Sequence, residues 1–213
     1  NEIFIKMYNK WYRKNFSRLY STKMNDFYYK AKNIDEKDKS NFKGKKYIYG
    51  YVENIPYEIS NTKGINLEFL NGFEKFAGVE FQYKKYNSIK QLTKGFENGD
   101  VDIIFNYYGI DSQGSNETIN VYDASYVILT HIDNNVTVDS WMSLTNKEIY
   151  ALKDTMLTEY VNNNSKATIK AYSKISSLLK NKEPLILLDM NTYNYYKNTK
   201  LKDYYIVYEG KAD

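Results

Sequence analysis

From Tyr47 onward, short runs rich in β-branched and aromatic residues alternate with stretches whose apolar side chains recur every three or four positions. This alternation restricts the chain to α/β architectures. YIYGYV at 47–52 has strand composition, Val79, Phe81 and Tyr83 alternate as in a half-buried strand, and VDIIF at 101–105 reads as a continuous apolar strand after its Asp. Two helices are expected between them. The first carries Ile65, Phe69, Leu70, Phe73, Phe76 and Ala77 on one face and stops at Gly78; the second has Ser88 as N-cap, Ile89, Leu92 and Phe96 as its stripe, and Gly99 just past its end. A β-α-β-α-β order with right-handed crossovers makes a parallel sheet, and ligands of such sheets lie beyond the carboxyl ends of the strands. Here those ends are the loops 53–63, 84–87 and 106–110.

A second α/β series follows an irregular stretch at 109–120. Strands are expected at 126–130, 149–152, 168–172, 185–188 and 204–208, and helices beginning near Thr155, Ser173 and Met190. Asp154 and Ser173 occupy capping positions, and Ile175, Leu178 and Leu179 form a short core stripe. Ahead of both series, Phe4, Met7, Tyr8, Trp11, Leu19, Tyr20, Met24, Phe27 and Tyr28 mark one long amphipathic helix or two in series. Residues 32–46 are charged and follow neither period, so they read as a linker. Three parts result: an N-terminal helix and linker over 1–46, a first lobe over 47–108 and a second over 109–213.

Composition narrows the function. Of 213 residues 42% are hydrophobic, too many for a disordered chain, yet no run approaches the roughly 18 apolar residues of a membrane span. Without cysteine there is no disulfide, thiolate metal site or cysteine nucleophile. His131, the single histidine, stands at a strand end before Asp133, Asn134 and Asn135 and reads as a surface-loop residue, which leaves no Ser-His-Asp arrangement. Asp100 and Asp102 bracket the amino end of a strand and read as caps, not metal ligands. Neither a Walker A nor a GxGxxG phrase occurs. No catalytic residue, metal or cofactor is therefore expected. The net charge of +4 combines 13 Lys/Arg against 5 Asp/Glu in residues 1–46 with 17 against 21 in the remainder. Acids interleave the basic segment and aromatics occupy its helical face, so it reads as a solvated helix and linker with no nucleic-acid partner.

Residues 48–109 resemble the first lobe of bacterial extracellular solute-binding proteins of family 3, the amino-acid type with the type 2 periplasmic binding fold. The landmarks are a strand, the Pro56-Tyr57 loop, Gly64-Ile65 opening a helix, and NGDVDII at 98–104. VYDASYVIL at 121–129, SLTNKEIYALKDTMLTEYV at 143–161 and LILLDMNTYNYY at 185–196 continue the likeness in order, to about residue 208. The resemblance implies two α/β lobes with mainly parallel sheets, a Venus flytrap. At the position of the family's carboxylate-holding arginine stand Asn116, Glu117 and Thr118. The family's closing return to the first lobe has no counterpart before Asp213, so a module incomplete at its C-terminus is expected. EIFIKMYNKWY at 2–12 resembles the family's last helix, which ends in a KW phrase matched by Lys10 and Trp11. Two arrangements follow: the N-terminal segment is the tail of a preceding tandem module, or it packs on the first lobe in place of the return.

The implied site draws on both lobes. Tyr57 either contacts a solute from the first ligand-side loop or is ordinary surface. Asn106, Tyr107 and Tyr108, at the expected crossover, are ligand contacts or hinge packing. Asp154 and Thr155 precede a helix whose free amides suit an anion, with plain N-capping as the alternative. Asp189, at the end of an apolar strand, meets a ligand ammonium in the family or caps the next helix. The resemblance implies a non-enzymatic module closing on a small polar, amino-acid-like solute. It is expected outside the cytoplasm, anchored to the membrane as the sensor portion of a histidine kinase or diguanylate cyclase. The alternatives are the substrate-binding component of an ABC transporter, working with its permease, or a dehydratase-type enzyme acting on small carboxylates.

Overall fold

The computed structural model describes residue 3 and residues 5–7, 23–61, 63–105, 107, 121 and 124–212. Phe4, Tyr8, Trp11, Leu19 and Tyr20 of the N-terminal stripe, the Lys10-Trp11 phrase, Asn106, Tyr108 and the stretch 109–120 lie outside them. The chain divides into two compact units, residues 1–105 and 106–213.

The first unit contains a helix over residues 23–31 (α1), α2 (Glu36–Phe42), β1 (Lys46–Val52), α3 (Ile65–Ala77), β2 (Glu80–Tyr86), α4 (Ile89–Glu97) and β3 (Ile103–Ile104). Its three strands run parallel in the order β2-β1-β3, as the β-α-β-α-β reading requires. Tyr49 and Tyr51 of β1 bury one face against Leu67, Leu70 and Ala77 of α3, together with Val79 and Phe81. Gly50 belongs to the other face, where a Cβ would fall 2.6–2.9 Å from Val101 and Leu92, so the close seating of α4 depends on glycine. Ser88 caps α4 by accepting from the Gln91 amide, and Gly78 ends α3 in the left-handed conformation.

Three sequence readings of this unit need correction. α3 buries Leu67 and leaves Phe69 and Phe73 exposed. Apolar residues surround nearly the whole helix, so periodicity alone cannot select the stripe that meets the sheet. The pairing of β3 spans only Ile103–Ile104, shorter than the run 101–105. The stretch read as a linker contains α2. Asp35 caps it through the Asp38 amide at 2.7 Å, its first turn is acidic and its last basic, and it buries no residue, so local electrostatics form it without an apolar stripe.

The second unit comprises β4 (Ser125–His131), a 3-10 turn at Trp141–Leu144, β5 (Glu148–Leu152), α5 (Met156–Asn164), β6 (Thr168–Tyr172), α6 (Ile175–Leu178), β7 (Ile186–Asp189), α7 (Met190–Tyr196) and β8 (Tyr204–Lys211). The sheet order is β6-β5-β7-β4-β8. β5 runs parallel to β6 and β7, whereas β4 is antiparallel to both β7 and β8. Tyr126, Ile128, Leu144, Ile149, Val161 and Leu187 form its core, with Trp141, Tyr160 and Tyr208 packed against them. α6 begins at Lys174 without a side-chain cap, so the Ser173 reading fails: a one-turn helix docked through Leu178 needs none. His131 is also a correction. It is the buried last residue of β4, edge-on to Tyr204 at 5.0 Å, with Nδ1 accepting the Asp133 amide at 3.2 Å.

Candidate functional site

β5 and β7 are parallel neighbours, so their carboxyl ends open on one edge of the second sheet. Thr155 follows the first strand and Asp189 ends the second. The helix cap after β5 is Thr155, not Asp154. Thr155 has extended backbone and its hydroxyl accepts the Thr158 amide at 3.1 Å, while Thr158 Oγ1 donates to the Leu152 carbonyl at 2.7 Å. Asp154 instead carries the turn at φ 58° and points an exposed carboxylate at Lys153 Nζ, 3.5 Å away. The left-handed turn moves the cap one residue along the chain.

Asp189 caps α7. Its carboxylate accepts the Thr192 amide at 2.9 Å and the Thr192 hydroxyl at 2.6 Å, and also the Tyr107 hydroxyl at 3.1 Å. Tyr107 makes a second link, its carbonyl accepting the Met156 amide at the first turn of α5 at 3.3 Å. Tyr107, Thr155 and Asp189, assigned on separate grounds, thus converge on one edge. Asp154 is exposed beside Lys153, and Asn106 and Tyr108 lie outside the described residues.

In the first unit Tyr57 is buried, its ring 5.0 Å from that of Phe105. Its loop is fixed by backbone contacts. Asn54 and Glu58 exchange amide–carbonyl bonds of 2.9 and 2.8 Å, and the carbonyls of Pro56 and Tyr57 accept the Ile65 and Asn66 amides at the start of α3 at 3.1 and 3.2 Å. Gly64 is obligatory in this loop: it sits at φ 135° and a Cβ there would fall 2.1 Å from the Tyr57 oxygen.

The residue the sequence reading missed is Glu58. It is 3% exposed and accepts the Tyr49 hydroxyl at 2.6 Å and the Asn66 side-chain amide at 2.5 Å. Burial pushes its carboxyl up to about 7, against the opposing pull of these two bonds. Its one sequence signal is an acid placed between Tyr57 and Ile59 in a loop beyond a buried strand. No group of three or more His, Asp or Glu residues able to hold a metal occurs among the described residues. None of their helices is long and apolar enough to cross a membrane.

These two α/β units have the fold of two-lobed ligand-binding cores, the type 2 periplasmic binding or Venus flytrap fold. Solved structures similar to the chain include the GluR0 ligand-binding core in complex with L-glutamate, at 17% identity over 79% of this chain and 82% of that one, TM-score 0.62. The periplasmic VFT2 domain of Bordetella pertussis BvgS matches at 14% identity over 82% and 77%, TM-score 0.59. Truncated, arginine-bound ArgBP of T. maritima matches at 14% identity over 83% and 89%, TM-score 0.55. No protein-family profile matches the chain. No curated protein sequence matches it either.

Proposed function

We propose that the chain is an extracytoplasmic solute-binding module that closes on a small polar solute and serves as the sensor portion of a membrane signalling protein. The observation that carries this reading is the fold, shared with cores that hold glutamate or arginine and with the periplasmic domain of BvgS. The convergence of Tyr107, Thr155 and Asp189 at the carboxyl ends of β5 and β7 supports it. In this reading Asp189 receives a cationic or hydrogen-bond-donating group of the solute. Thr155 and the first turn of α5 receive its electronegative end, and Asn106 and Tyr108 complete the contacts beside Tyr107. Tyr57 contributes by shaping its loop from within, since its ring is buried against Phe105.

The test is a thermal-shift screen of amino acids, polyamines, short peptides and organic acids, followed by calorimetry. A true solute at a hundredfold excess over Kd stabilises the protein by about 2.7 kcal/mol. The shift is expected to fall in Asp189→Ala, with the solute recovered unchanged. A library without a single binder would refute the proposal, and turnover of a carboxylate would replace it with an enzyme. A gene for an ABC permease beside this one, with no kinase or cyclase joined to the module, would move the role from sensing to transport.

A further inference from the structure

Three elements of the first unit meet at one carboxyl. Glu58 lies in the loop after β1, and its Oε1 accepts both the hydroxyl of Tyr49 on β1 and the side-chain amide of Asn66 in the first turn of α3. Its backbone pairs with Asn54 across the loop, and its neighbours Pro56 and Tyr57 supply the carbonyls that take the first amides of α3. The Glu58 carboxyl therefore adds a side-chain tie from the loop to both strand and helix, beside the backbone bonds that also hold it. Both donors to Oε1 are neutral, and among the described residues the carboxyl has no ion-pair partner. The groups that act on it are the Tyr49 hydroxyl of β1 and the neutral Asn66 side chain of α3; Tyr51 of β1 feels its charge, and Lys85 of β2 is paired with Glu53 at 2.7 Å. A charge at this depth lacks the compensation that a buried carboxylate requires.

We propose that Glu58 is the positioning residue of the 53–64 loop and that it holds the loop firmly only while its carboxyl is protonated. That this loop faces a solute rests on the binding function proposed above; the proton linkage does not, and it is measured without solute.

The sign follows from the raised pKa of the carboxyl. A carboxyl whose ordinary value of 4.5 rises to about 7 in the fold stabilises the closed loop fully below about 4.5. That stabilisation is lost as pH rises through 7. The two values are about 2.5 units apart, so the opening equilibrium grows about 300-fold across the interval.

Hydrogen exchange over residues 54–66 of the whole chain, corrected for intrinsic rates, tests this between pH 4.5 and 8. Over this range wild type is expected to open about 140-fold more at pH 8 than at pH 4.5. Glu58→Gln keeps an oxygen for Tyr49 and Asn66 but cannot ionise, so it should stay protected throughout. A flat wild-type profile, or an equal rise in the Gln variant, overturns the proposal. Should the variant fail to fold, carbon-13 NMR of the wild-type Glu58 carboxyl decides: a midpoint near 7 supports the linkage and one in the ordinary carboxylate range refutes it. An empty solute screen beside a positive exchange result would refute the binding function alone.

Discussion

The bond between Tyr107 and Asp189 links the Tyr107 hydroxyl to the carboxyl end of β7, and a double-mutant cycle measures it. The Tyr107 hydroxyl donates to Oδ2 at 3.1 Å, longer than the roughly 2.5–2.7 Å of a strong hydroxyl–carboxylate bond. Its contribution therefore belongs at the lower end of the 1.5–3 kcal/mol range for bonds to charged groups, about 1.5 kcal/mol. Tyr107→Phe removes the donor and leaves the ring. Asp189→Asn removes the charge while keeping a residue that caps helices as well as Asp, so α7 and the Thr192 amide retain an acceptor. Each single variant should lose about 1–1.5 kcal/mol and the double variant little more than either, giving a coupling energy of about 1 kcal/mol. Urea unfolding followed by near-UV signals supplies the free energies, with m held equal across the four proteins. A coupling below about 0.3 kcal/mol would show that Tyr107 merely lies beside Asp189. It would also remove the structural reason for grouping Tyr107, Thr155 and Asp189 as one site.

Gly64→Ala should damage the first unit selectively. The new Cβ would collide with the Tyr57 carbonyl in a backbone region open essentially only to glycine, at about 1–3 kcal/mol, and would weaken two amide–carbonyl bonds worth about 1 kcal/mol each. Limited proteolysis should then cut near residues 53–66 while β4–β8 stay protected, and unchanged resistance would count against the loop geometry. Thr155→Ala should cost about 1 kcal/mol through loss of the α5 cap, whereas Asp154→Ala should cost less, since its carboxylate is exposed and only the left-handed turn at φ 58° favours Asp over Ala. Chemical denaturation of the two variants distinguishes the cap assignments, and the reverse ranking would restore Asp154 as the cap.

The strands were the most legible part of the sequence because burial on one or both faces leaves a mark every residue or every second residue. Ser125–His131 and Ile186–Asp189 fall where their apolar runs are. Helix faces and caps were read less well. In α3 too many apolar positions compete for the sheet, and at α5 a left-handed Asp154 shifts the cap by one residue, which composition cannot signal. α2 left no trace because it is formed by end charges and a cap instead of burial. Within the candidate site, Thr155 and Asp189 were legible as polar residues at strand ends, while the bonds Tyr107 makes to Asp189 and to the first turn of α5 require tertiary structure. Glu58 was hidden for another reason. An acid in a loop looks solvated until Tyr49 and Asn66, 9 positions before and 8 after, close over it.

The described residues 23–42 of the basic N-terminal segment pack within the first unit. A three-stranded parallel sheet with one helix on each face is a small core, and a lobe of about 60 residues buries too little surface to be secure alone. Residues 23–42 add to that core. Asn25 donates its side-chain amide to the Phe76 carbonyl near the end of α3, Tyr29 is buried, and Phe42 packs on Tyr47 of β1. Lys39 lies 5.3 Å from the Tyr29 ring and 3.5 Å from Asp26, so part of the segment's excess positive charge is engaged in holding α1 to α2. Residues 23–42 thus belong to the first compact unit, in which Phe27 and Tyr28 of α1 and Phe69 and Phe73 of α3 remain exposed.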